Sequence, residues 1–164
     1  MSNSNIEDKR NFLPAHNYIF CSNAKENFGE PNATFLPGEF NDSGMLLQFF
    51  DLREALIQKK IVKLCAKGIC MYPCVRPGDI LHIVYKKSKE IAIGDIAVYR
   101  RGSRLFGHRV IDRGYQKEAS YIVTRPDTVA GSGSGYIFDK DIAGIVTGIE
   151  REGLSLGPGK IHCS

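Results

Sequence analysis

The chain has no run approaching the roughly 18 consecutive apolar residues that a membrane-spanning helix needs, so no part of it is expected to cross a bilayer. Its first residues, Met1 to Asp8, are polar and acidic. They lack the basic start and the apolar stretch of a secretory signal, and residence in the cytoplasm is the expectation. There is no long basic block either. The net charge is +4, with lysines and arginines spread along the chain, and nucleic acid is not expected as a partner. The five cysteines include no C-x2-C knuckle, and an odd number without an export signal reads as thiols rather than a disulfide framework. No internal repeat is present.

What is there is the composition of a globular protein: 164 residues, 43% apolar and 24% charged, enough for one domain with its own core. Residues 1–42 mix Asn, Gly, Pro and Glu with scattered aromatics and no sustained period, which reads as an irregular arm. From Ser43 an apolar stripe of Met45, Leu46, Phe49, Phe50, Leu52, Leu56 and Ile57 predicts a helix. After Lys60 the period becomes two, with Val62, Leu64 and Ala66 alternating against Ile61, Lys63 and Cys65. Further β-rich runs, at 79–85, 94–100, 104–111, 119–125 and 141–149, are separated by Gly, Pro, Asp or Lys turns. These elements predict a mainly β, folded-over domain over 43–150 with one N-terminal helix, α+β overall. "GSGSG" at 131–135 reads as a flexible loop, and 151–164 as a flexible C-terminal tail.

One stretch carries chemistry. Gly68-Ile69-Cys70-Met71-Tyr72-Pro73 is followed by Arg76-Pro77-Gly78-Asp79, Gly94-Asp95-Ile96, Gly107-His108-Arg109-Val110 and Thr124-Arg125-Pro126-Asp127. In that order these pieces resemble the superfamily containing signal peptidase I and the self-cleaving SOS-repressor peptidases, whose motifs read G-x-S-M-x-P, P-G-D, G-D-I/V, a general-base segment and G-D-N. The resemblance covers roughly residues 43–150, and several short motifs in register are more specific than any one alone. It implies a soluble peptidase without the family's membrane anchor.

Cys70 stands where the family has its serine nucleophile, and His108 where the histidine-using branch has its base. An imidazolium beside a cysteine lowers the thiol pKa from about 8.5 to 7.5 or below, so the resemblance implies an ion pair able to attack a carbonyl. Asp127 takes the place of the acid that orients the imidazole. Pro126 and Thr128 replace the family's Gly and Asn, which leaves Asp139 and Asp141 as substitutes. Gly68, Ile69 and Met71 flank the nucleophile as expected oxyanion and substrate-binding positions, with backbone amides as donors. Such acyl transfer needs no cofactor and no metal, and its partner is a peptide or protein substrate.

Three other readings compete. Cys65, Cys70 and Cys74 with His82 make a rival metal or redox site, although C-x4-C-x3-C is a poor zinc spacing, and a Cys70–Cys74 disulfide would act as a switch. A catalytically inactive peptide-binding or scaffold module is the alternative function. A self-cleaving transcriptional repressor is the third, but residues 1–42 show no helix-turn-helix pattern, and Ala130-Gly131 and Ala143-Gly144 both follow the proposed dyad and fall in loop or strand, so self-cleavage there is not expected.

Overall fold

The computed structural model describes residues 52–58, 61–102, 104–128 and 133–156. The arm at 1–42, the start of the expected helix and everything beyond 156 lie outside them. The described part of the helix spans 52–57. Leu52 and Leu56, four residues apart and therefore on one face, are buried, whereas Ile57 faces outward. Of the stripe's described members, the inward pair fits and Ile57 does not.

Among the described residues eight strands follow: β1 (Val62–Cys65), β2 (Ile80–Val84), β3 (Ile96–Arg101), β4 (Arg104–Gln116), β5 (Ala119–Arg125), β6 (Ile137–Phe138), β7 (Ile142–Arg151) and β8 (Leu154–Leu156). All pairings are antiparallel, in the order β1-β2-β7-β3-β4-β5-β6, with β8 also on β7. This is the mainly β fold with one helix that the periodicity predicts. A strand has two edges, and β2 occupies one edge of β7 from Ile145 to Glu150. The other edge is shared by β3, at Ile142 to Ile145, and β8, at Glu150 and its neighbours. Residues 154–156 are thus paired strand rather than loose tail. The "GSGSG" reading also changes where it is described, because Ser134 is buried and its amide donates to the Thr124 carbonyl at 2.7 Å.

Apolar residues along the central strands serve two cores because successive side chains point to opposite faces. Ile96 and Val98 join one cluster with Leu52, Leu56, Leu64, Leu81, Ala143 and Val146. Ala97 and Tyr99 join the other, with Ile91, Val110, Ile122, Ile142 and Ile145. The unbroken burial of 96–99 in β3 and 142–146 in β7 follows from their being covered on both faces.

Gly144 shows how tightly the sheet closes. It sits on β7 opposite Val98, and a Cβ there would run into the backbone carbonyl of Val84 on β2. Backbone cannot swing aside as a flexible side chain can. Gly144→Ala is therefore expected to cost about 3 kcal/mol, read as a lowered urea midpoint with an unchanged m-value.

Candidate functional site: the Cys70 loop and the His108 strand

Cys70 is carried by an excursion between β1 and β2. Gly68 and Gly78, at φ 87° and 92°, turn the chain out of β1 and back towards β2, in a region that side chains adopt only under strain. The base of the loop is closed by two backbone bonds, Ala66 amide to Asp79 carbonyl at 2.8 Å and Gly78 amide to Ala66 carbonyl at 2.9 Å. Inside it, Tyr72 donates to the Ile69 carbonyl and Val75 to the Met71 carbonyl. The carbonyls on either side of Cys70 are thus used within the loop itself. Ile69 is half exposed while Met71 is buried.

The loop is anchored by a carboxylate. Asp79, 2% exposed, accepts from the Arg76 amide at 2.7 Å and from Arg151 Nε and Nη2 at 2.8 and 2.7 Å. The same Arg151 Nη2 reaches the Cys74 carbonyl at 3.1 Å, so one guanidinium at the end of β7 holds both sides of the loop. Burial pushes the Asp79 carboxyl up, but hydrogen bonds from Arg151 and the Arg76 amide, with the charges of both arginines, outweigh it. Its pKa lies below the ordinary 3.8.

A second set of ties joins the loop to β4 and the end of β5. Thr128 donates its amide and its hydroxyl to the Cys70 carbonyl, each at 3.1 Å. Next to it, Asp127 receives Arg109 Nε and Nη2 at 2.8 and 2.7 Å. Arg109 also reaches the Gly94 carbonyl at 2.9 Å and Cys74 Sγ at 3.4 Å. Arg109 is the residue after His108, so its guanidinium fastens the Cys70 loop to the strand that carries the imidazole.

His108 lies on β4 opposite Ala97, 2% exposed, with the Tyr99 and Phe106 rings at centroid distances of 6.0 and 5.7 Å. Strand alternation turns its ring towards Phe106 and Val110, beside the second cluster, while Arg109 points to the loop. Its Nδ1 meets the Tyr99 hydroxyl at 3.0 Å. The Thr124 hydroxyl donates to that same phenolic oxygen at 3.0 Å, and the Thr124 amide donates to Ser134 Oγ at 3.0 Å. All three of these partners are buried.

The arrangement revises the expected third member. Asp127 is gripped through both oxygens by Arg109, and Tyr99 stands at His108 Nδ1. The substitutes are bound elsewhere too: Asp139 accepts from the Ser88 amide, and Asp141 pairs with Arg100 at 2.6 Å. The physical reason is proximity, since Arg109 and Arg125 face each other across β4 and β5 and Asp127 lies just past that pair. The expected cysteine chemistry changes as well. Cys65 and Cys70 are thiols, but Cys74 is disulfide-bonded. His82, the other member of the rival metal set, meets Glu150 at 2.7 Å, and Glu150 also takes Lys63 at 2.8 Å. Hydrogen bonds from Lys63 and His82 hold the Glu150 carboxyl below its usual value.

Sequence reasoning missed Tyr99, Thr124, Ser134, Thr128 and Arg151. Thr124 gave the clearest available signal, a hydroxyl two residues after Ile122 and so on the same inward face of β5. No family model matches the chain, and no curated protein matches it. No helix among the described residues is long and apolar enough to cross a membrane.

Removing the Asp79 charge leaves Arg151 partly buried without its partner, so Asp79→Asn is expected to cost about 2–3 kcal/mol. The parent's advantage over this variant is complete above the unfolded carboxylate value of 3.8 and disappears as pH falls through the lower folded value. Urea denaturation of both proteins between pH 7 and pH 2 measures it. For the clasp, a double-mutant cycle of Arg109→Ala and Asp127→Ala should return a coupling of about 1 kcal/mol.

Proposed function

We propose that the protein is a peptidase related in design to signal peptidases and SOS-repressor peptidases, with Cys70 as nucleophile and His108 as the group that handles its proton. The observation that carries this reading is the stitching of the Cys70 loop to the His108 strand by Thr128 and by the Arg109–Asp127 pair. Cys70, through its carbonyl, and the strand of His108, through the neighbouring Arg109, are tied to adjacent residues at the end of β5.

In the proposed reaction the Cys70 sulfur bonds to the carbonyl carbon of a peptide, and its proton passes to His108. The oxyanion is met by backbone amides of the loop, the Cys70 amide first among them. When the C–N bond breaks, His108 returns the proton to the departing amine. Water then hydrolyses the thioester and regenerates the thiol. Asp127 acts at a distance in this scheme, holding Arg109 and through it the loop. β1 is the end strand of the sheet order, and an extended peptide pairing along it runs towards the loop, reading backbone more than side chains.

The inactive peptide-binding module keeps one specific argument. Cys70 is 5% exposed and shares an apolar cluster with Met71 and Val75, so its sulfur is covered rather than presented to a peptide. p-Nitrophenyl acetate, small enough to reach a buried sulfur, separates the two readings. In a Cys65→Ala background the peptidase should release nitrophenol and carry the acetyl group on Cys70, located by mass spectrometry. His108→Ala should slow the acylation about a hundredfold. Acylation no faster than in Cys70→Ala would leave only the binding module.

A further inference from the structure

The outward face of the β4–β5 hairpin carries an aromatic cluster that takes no part in the Cys70 site. Tyr121 on β5 pairs with Gly114 on β4 and with Phe138 on β6, so the three form one row across the sheet. Gly114 leaves the ring its place. A Cβ there would run into the Tyr121 hydroxyl and ring, which therefore lie over the glycine. Tyr136, on the same face as Phe138 by alternation, packs on Tyr121 at a centroid distance of 4.3 Å and is 54% exposed. Phe138 stands nearly upright to both, at 73° to Tyr121 and 70° to Tyr136. Asp112, two residues before Gly114 and on its face of β4, adds a charge. Its Oδ1 accepts the Arg113 amide at 2.8 Å, which leaves Oδ2 to another donor. The Tyr121 hydroxyl is pushed above its ordinary 10.0 by desolvation, with Tyr136 and Asp112 adding to the effect, so two phenols and a carboxylate bear on one place.

We infer that Asp112, Tyr121, Tyr136 and Phe138 form a docking point for an arginine side chain of a partner protein. The chain's own nearby cations are engaged or set apart. Arg113 turns to the opposite face and donates to the Ile91 carbonyl at 2.6 Å, and Gly133 lies on the Val123 side chain, between the rings and Arg125. Among the described residues no lysine or arginine lies over the three rings or pairs with Asp112. Ring faces beside a carboxylate attract a cation and repel phosphate. Rings at 70° to one another make a corner, whereas a sugar or a nucleobase stacks on a flat floor. A guanidinium fits that corner because it is planar and weakly hydrated, able to lie on the exposed Tyr136 ring while its edge donates to Asp112 Oδ2 and the phenolic oxygens. The ammonium of lysine holds its water more tightly, and a quaternary ammonium has no N–H for those oxygens. The docking point is independent of the peptidase reading, since Tyr121 lies towards the hairpin tip and Thr128, with the Cys70 loop, adjoins the other end of β5.

Aromatic proton spectra of the full chain, titrated with the peptide acetyl-Gly-Arg-Gly-amide, test this directly. The Tyr121, Tyr136 and Phe138 ring signals should shift and saturate. The same peptide with citrulline, which keeps the shape of arginine and loses its charge, should leave them in place, and the lysine peptide should bind more weakly than the arginine one. Tyr136→Ala and Asp112→Asn, both at exposed positions, should each weaken binding of the arginine peptide about threefold to fivefold. Either variant alone carries the test if the other fails to fold. Equal shifts from arginine and citrulline, or binding unchanged in the folded variants, overturn the inference. A trimethyl-lysine peptide that binds more tightly than arginine overturns the choice of guest. Ring shifts that appear on concentrating the protein alone and vanish in Tyr136→Ala assign the face to a second copy of the chain and overturn the partner protein.

Discussion

A buried carboxylate ties the Cys70 loop to the sheet. Asp79 gathers the Arg76 amide at the closing turn of the Cys70 loop and the Arg151 guanidinium at the end of β7, and Arg151 in turn reaches the Cys74 carbonyl. Such a charge is expensive to bury, and it is tolerated because donors surround it. The position of the Cys70 backbone relative to the sheet depends on that cluster. The motif Pro77-Gly78-Asp79 thus has a structural reason: proline and glycine make the turn, and the aspartate bolts it to a strand from the other end of the chain.

From this anchor the site is built outward by bonds that cross between elements. Thr128 fixes the Cys70 carbonyl, and the Arg109–Asp127 pair fixes the loop against β4. His108 is held from behind by neutral hydroxyls while the ionic groups beside it pair with each other. The result is a candidate site in which Asp127 and Asp79 are paired with arginines and serve architecture.

The strands were legible in the sequence where period-two alternation ran for several residues. Val62, Leu64 and Ala66 are buried as that pattern requires, and 119–125 forms β5 with the bounds read from its composition. β6 and β8 escaped notice because two or three residues do not make a period. Ser134 was hidden in a glycine–serine run whose composition signals a flexible linker, although its hydroxyl and amide are both engaged with Thr124. Motif spacing located Cys70, His108 and Asp127. It had no way to show that Arg109 would capture the aspartate, because a carboxylate's choice between a guanidinium and an imidazole is made by side-chain geometry across two strands.

The placement of β7 bears on how the chain comes to fold as it is made. This strand lies between β2 and β3 and carries β8, yet it is synthesised after every described strand except β8. Until it emerges from the ribosome, the hairpin of β1 and β2 and the meander of β3 to β6 have no strand between them, and Asp79 has no arginine from β7. Assembly of the native sheet must therefore await the final segment, with the long-range pairing and slow closure that such topology entails.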